Sequence, residues 1–319
     1  MVNKLTILLA VFSLTAALFI GCGDEGTGPG NVDGIQGTVT YKDGTTPVAG
    51  ATVTATSTLM EATFATDSGN DGGFKFSDVP DGDYRVTADK GSFHAEGNIT
   101  VSGGKTTAAM LLALDIDESK IGVVPGVFDD IGSILTDLGY EFTTLTDADL
   151  ADSTKLDPLE LLFLNCGSNT FWASDATVQT NLQNYVNDGG YLYASDWEYV
   201  YVETSWPSAV EFYGADPRIG DEQTITADVT DSALAGYLGK NEAEITFDLS
   251  DWVVINRVDS STAVLVRGSF STTEGQMTDK PLMVSFEHGN GIVAYTCFHN
   301  EAQITDDARE LLLYFISLT

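Results

Sequence analysis

Three short polar strings each follow an apolar run in the second half of the chain: Asn165-Cys166-Gly167-Ser168-Asn169, Ser195-Asp196-Trp197-Glu198 and Cys297-Phe298-His299-Asn300-Glu301. Imidazole and carboxylate groups can pass a proton to or from a reacting atom, and a thiol can attack as a nucleophile. Small polar donors such as Asn165, Ser168, Asn169 and Ser195 can hold a ligand or a developing negative charge. Plainer roles stay open for each. Asp196 and Glu198 could cap backbone amides, His299 could be a polar strand-end residue, and Cys166 and Cys297 suit small buried apolar positions. A metal held by Asp196, His299 and Glu301 is conceivable, but these separated positions form no ligand-spacing motif, and no cofactor is expected. The aromatic stretch Trp197, Tyr199, Tyr201 and Trp206 could line a sugar-binding face or fill the core.

Strand ends must present these strings. KIGVVPG (120–126) reads as a short apolar strand, and FDDIGSILTDLG as an amphipathic helix with Ile131, Ile134, Leu135 and Leu138 on one face. YEFTTLTD and LELLFLNCG read as the second and third strands. Ser174-Asp175 then caps a helix closed by Gly189-Gly190, and YLYASDWEY is the fourth strand. Near-continuous apolar strands alternating with helices predict a three-layer α/β domain over 119–319, with a parallel sheet of flavodoxin-like order. In open sheets of that kind ligands sit at the carboxyl ends of the strands, which is where all three strings fall. The last third is richer in strands, with a hairpin at Glu287–Gly291 and a terminal helix in DDARELLLYFISL.

Two local patterns carry a resemblance to the class I glutamine amidotransferase-like superfamily, including its ThuA-like branches. YVNDGGYLYASDW is similar to the family's helix, Gly-Gly, strand and sharp turn that presents a nucleophilic cysteine; CFHNE is similar to its Phe-His-Pro-Glu. The resemblance implies that His299 is the base, Glu301 its orienting acid, and Asn165–Asn169 the loop that helps form the oxyanion hole. It puts Asp196 in the cysteine's place, beside Ser195. A carboxylate is a poor acyl-transfer nucleophile whose product would be an anhydride, and bulky Trp197 stands where an elbow prefers a small residue. Glutaminase activity is therefore not expected.

The first half has almost no helix signals. Over 35–116, short alternating runs (Val39, Tyr41; Val53, Ala55; Phe74, Phe76; Tyr84, Val86) lie between Gly, Asp and Pro turns, the spacing of a β-sandwich. Pro47-Val48-Ala49-Gly50-Ala51-Thr52-Val53, Asp71-Gly72-Gly73-Phe74 and Val79-Pro80-Asp81-Gly82-Asp83-Tyr84 resemble the carboxypeptidase regulatory-like family, which implies an accessory module without chemistry of its own. Asp67-Ser68-Gly69-Asn70-Asp71-Gly72 lacks the third-position carboxylate and later Glu of an EF-type calcium loop, and reads as a hairpin turn.

The chain opens with Lys4 and an uncharged apolar run, Leu5–Ile20, shorter than the roughly twenty residues of a membrane span. Phe19-Ile20-Gly21-Cys22 resembles the lipobox of bacterial lipoproteins, which implies cleavage of 1–21 and acylation of Cys22, with residues 23–34 as a Gly- and Asp-rich spacer. An exported protein, lipid-anchored in the cell envelope at an outer membrane or surface, is the expected setting. Lys and Arg number 14 against 47 Asp and Glu, a net charge of −33 that repels phosphate backbones, so nucleic acid is excluded as a partner. A glycan or protein ligand is compatible with that charge. Three function classes follow: a non-catalytic binding or structural lipoprotein, a ThuA-like hydrolase or sugar-modifying enzyme using Asp196 and His299, and a carbohydrate-binding protein.

Overall fold

The computed structural model describes residues 31–300 and 305–318. The export segment, Cys22 and Glu301 therefore lie outside the described residues. Among those described, no helix is long and apolar enough to cross a membrane.

Residues 35–114 fold as a sandwich of two sheets. One is three-stranded, Gly73–Phe76, Ile35–Thr40 and Met110–Ala113; the other is four-stranded, Thr63–Asp67, Thr52–Ser57, Gly82–Lys90 and Phe93–Val101. The eight residues picked out by alternation, from Val39 to Val86, are all buried. Period-two strands send every second side chain to the inner face, and apolar residues occupy those places. The 67–72 segment is a hydrogen-bonded turn: Gly72 N donates to Gly69 O (2.8 Å), and Asp71 accepts from Gly73 N (2.9 Å). Its left-handed residue is Gly72, at φ 72°.

In the second domain β1 (Ile121–Val124), β2 (Thr143–Thr144), β3 (Leu161–Leu164), β4 (Tyr191–Ser195), β5 (Ala263–Thr272), β6 (Gly275–His288) and β7 (Gly291–Thr296) share one large sheet. The order β2-β1-β3-β4-β7 is parallel throughout, the flavodoxin-like arrangement. Beyond β7 the sheet turns antiparallel through β6, joined to β7 by the 288–291 hairpin, and β5, joined to β6 at 272–275. The expected second strand shrinks to two residues, because Thr143 and Thr144 are exposed and lack the apolar run of their neighbours.

Four helices frame the site: α1 (Ile131–Asp137), α2 (Ala176–Asn187), α3 (Tyr199–Ser205) and α4 (Asp306–Ile316). Asp130, Asp175 and Thr305 cap α1, α2 and α4 through their side chains. On α4, Phe315 packs its ring against Phe163, Tyr191 and Tyr193, which lie on one face of β3 and β4. The two domains meet through aromatic side chains. Tyr140 packs edge-on against Tyr41 and Phe93 and donates to Leu114 O, while Tyr41 donates to Leu313 O (3.2 Å).

Candidate functional site

At the end of β4 the chain leaves the strand at Ser195 and turns sharply into a helical turn, Asp196–Glu198, that runs on into α3. Asp196 takes a left-handed φ of 43°. Asp tolerates that region better than most residues, because its short side chain can bond locally. This is the geometry of a nucleophile elbow, and it forms despite Trp197. The Trp197 indole points away from the turn and donates to Asp251 O (2.9 Å). From β7, Tyr295 donates to the Asp196 carbonyl (2.8 Å) and holds the turn in place.

The elbow does not present its carboxylate outward as an attacking group. Oδ1 accepts from Val253 N at 2.7 Å, and Oδ2 lies 3.5 Å from the Cys166 sulfur and 3.4 Å from His299 Nε2. Asp196, Cys166 and His299 are all buried. Burial raises the Asp196 pKa, against the opposing pull of His299, the Val253 amide and Cys166. Burial also works against a charged His299, but Asp196 outweighs it, and the imidazole pKa is raised. Burial pushes the Cys166 thiol far up, and the Asp196 charge adds to this. Cys166 and Cys297 are both free thiols.

Asp196 and His299 form the floor of a cleft of about 300 Å³, with Phe128, Trp197, Leu249, Asp251 and Trp252 around it. Phe128 arrives because Gly126 lets the loop after β1 lie against β3: a Cβ there would sit 2.0 Å from Cys166 O. Phe128 N then donates to that same carbonyl, and its ring meets Trp197 edge-on at 5.2 Å. Opposite, Trp252 stacks on Phe247 at 3.9 Å. Arg218 lies over the Trp197 ring at 5.4 Å.

The other expected binding residues work behind the floor. Ser195 Oγ accepts from Cys166 N (3.0 Å), and Asn169 caps the turn at Phe171. Asn165 is fully buried, its side-chain amide without a hydrogen-bond partner among the described residues. Ser168 donates its backbone N–H to Glu198 Oε1, and its hydroxyl lies 2.9 Å from Glu198 Oε2 and 2.7 Å from Asp147 Oδ1. One hydroxyl proton cannot serve both carboxylates. The contacts close if Glu198 is protonated and donates to Ser168 Oγ, which in turn donates to Asp147, where Tyr201 also donates. Burial pushes Glu198 up to about 8, in keeping with that arrangement. Of the expected binding set, Trp197 lines the cleft. Asn165, Ser168, Asn169, Ser195 and Glu198 do not: Asn165, Ser195 and Glu198 are buried, Ser168 is half-buried against Glu198, and Asn169 is exposed outside the cleft. Tyr201 and Trp206 are core residues.

Cys166 is buried on the neighbouring strand end, as expected, but its sulfur also reaches Asp196. A signal for its true place existed in the sheet register: β3 and β4 are parallel neighbours paired Leu164 to Ala194, so two residues further on Cys166 comes opposite Asp196. Phe128, Leu249 and Trp252 had no such local signal, since loops far apart in sequence bring them together.

Residues 34–114 match the carboxypeptidase regulatory-like domain family. This segment is a carboxypeptidase regulatory-like domain. No curated protein matches the chain. Among solved structures, the chain is similar to a glutamine amidotransferase at 17% identity and TM-score 0.42, over 62% of this chain and 98% of that one. A ThuA-like protein of Bacteroides uniformis aligns at 15% identity and TM-score 0.43, over 61% and 87%. A glutamine amidotransferase of Thermotoga maritima aligns at 8% and 0.37, over 63% and 83%. The observed strand order and elbow, rather than these overlaps, establish the α/β fold of the second domain.

Proposed function

We propose that the chain is an exported protein, tethered to a membrane of the cell envelope through acylated Cys22, whose α/β domain binds a small polar ligand without acyl-transfer chemistry. The carboxypeptidase regulatory-like domain serves as the spacer that holds this cleft away from the bilayer. The reading rests on Asp196. The position that the amidotransferase resemblance reserves for a cysteine nucleophile holds a carboxylate that is turned inward onto Val253 N–H and His299. A buried carboxylate engaged in that way has no free lone pair aimed at a substrate carbonyl, and its acyl product would be a reactive anhydride. The aromatic walls at Phe128, Trp197 and Trp252 suit the apolar face of a sugar ring, and Asp251 adds a polar edge. A glycan array probed with the full chain is expected to give hits that Trp197→Ala removes. Turnover of glutamine or an ester, lost in His299→Ala, would refute the non-catalytic reading.

One observation favours a second reading. Asp196 and His299 line one cleft with Oδ2 and Nε2 3.4 Å apart, a carboxylate and an imidazole that can each exchange a proton with a ligand there. On this reading the domain is a hydrolase or sugar-modifying enzyme. Hydrolysis of glycosides abolished equally by Asp196→Asn and His299→Ala would replace the binding reading with this one; a flat response across a glycoside panel would leave it without support.

A further inference from the structure

His299 is 3% exposed, and among the described residues neither ring nitrogen has a hydrogen-bond partner. Its Nε2 faces Asp196 Oδ2 at 3.4 Å without the alignment of a hydrogen bond. A buried Nε2 that faces a carboxylate oxygen in this way is placed to take a partner of another kind. Cys166 Sγ completes a set of three: the sulfur, one Asp196 oxygen and one His299 nitrogen all lie within 4.8 Å of one another. We propose that Cys166, Asp196 and His299 bind a thiophilic divalent cation of the zinc type, with its fourth position open to the cleft.

The donor set and the spacing agree. Zinc takes thiolate, imidazole and carboxylate at about 2.3, 2.0 and 2.0 Å in a tetrahedron, which sets S···O at about 3.5 Å and N···O at about 3.3 Å. Here those distances are 3.5 and 3.4 Å. The S···N edge, at most 4.8 Å here, needs to close to about 3.5 Å in such a tetrahedron, a shift within reach of side-chain rotation. Asp196 would bind through Oδ2 and keep Oδ1 on Val253 N–H, so the amide orients the ligand. The Trp197 backbone N–H pulls the Cys166 pKa down against burial, an influence that favours the thiolate form. Metal entry takes the Cys166 proton to solvent and leaves His299 neutral, coordinating through Nε2. Three protein ligands beneath an open cleft leave one position for water or for a ligand oxygen. This goes beyond the binding reading and stands whether or not the cleft takes a glycan.

The test uses the full chain in detergent, carrying Cys22→Ser so that Cys166 and Cys297 are its two thiols, stripped with chelator and titrated with Zn²⁺ or Co²⁺ in excess Mg²⁺. Magnesium occupies weak carboxylate sites on so acidic a surface. The expected result is one ion per chain and a sulfur-to-cobalt charge-transfer band with tetrahedral d–d absorption. Cys166→Ser should abolish the band, and Cys166→Ser and His299→Ala should each weaken Zn²⁺ binding at least about tenfold. Cys297→Ala should leave both readouts intact. The proposal is overturned if no ion is retained against Mg²⁺, if bound Co²⁺ shows no sulfur band, or if the band survives Cys166→Ser. Should either variant fail to fold, the parent spectrum with the Cys297→Ala control still decides.

Discussion

The two domains bury polar groups in different ways. In the sandwich the buried polar side chains are hydroxyls, Thr40, Ser57, Ser68 and Thr106; among the described residues every buried ionisable acid and imidazole, Asp129, Asp196, Glu198 and His299, lies in the α/β domain. A hydroxyl can be satisfied by one backbone carbonyl, as Ser68 is by Val48 O at 2.6 Å. A buried carboxylate costs several kcal/mol unless it is paired or protonated, and folds retain such groups where they do something besides pack. The contrast puts the buried ionisable groups in the half of the molecule that holds the cleft.

The largest expected effect probes the chemical half. Glu198 faces Ser168, Asp147, Tyr201 and Cys166 and is pushed up to about 8 by burial. A carboxyl whose folded pKa exceeds its unfolded value holds its proton more tightly when folded. Its contribution is therefore complete below about pH 4.3 and is lost as pH rises to about 8, a loss of up to roughly 4–5 kcal/mol. In chelator, denaturant unfolding of the wild type should weaken across that window relative to Glu198→Gln, which has no such group to titrate. Parallel curves for the two proteins would show that Glu198 is ionised in the fold and would erase much of the contrast.

The second prediction probes the structural half. Phe74 is buried in the sandwich and packs against Phe76. Phe74→Ala should cost about 3–5 kcal/mol by denaturant unfolding. Under native conditions the cleft should keep its ligand affinity, and a change in affinity at constant folded fraction would mean that the two halves are not separable in function.

How much of this was legible depended on the range of the determinants. Val53, Ala55, Tyr84 and Val86 announced the sandwich because strand alternation and Gly or Asp turns are local. Runs such as Leu161–Leu164 announced buried parallel strands in the same way. Asp196 and His299 follow the ends of β4 and β7, and their convergence comes from those strands being parallel neighbours. The inward turn of the Asp196 carboxylate was hidden, because Val253 lies 57 residues away on a strand whose pairing no local pattern encodes. Glu198 was equally opaque, since its environment is made by Ser168 and Asp147 from two other strand ends.

The smallest expected effect tests the seam between the halves. Tyr41, from the sandwich, packs edge-on against Tyr140 and donates to the Leu313 carbonyl on α4, the helix whose Phe315 backs β3 and β4. Tyr41→Phe keeps the ring and removes one buried hydrogen bond, so it should cost about 1 kcal/mol. If the aromatic seam couples the domains, calorimetry should show one transition for the wild type and for Tyr41→Phe, with only a small drop in Tm. Tyr140→Ala removes the ring that meets both Tyr41 and Phe93, and should split the trace into two transitions. Two transitions already in the wild type would show that the seam is only contact, and the sandwich would then be a spacer that neither supports nor senses the cleft it carries.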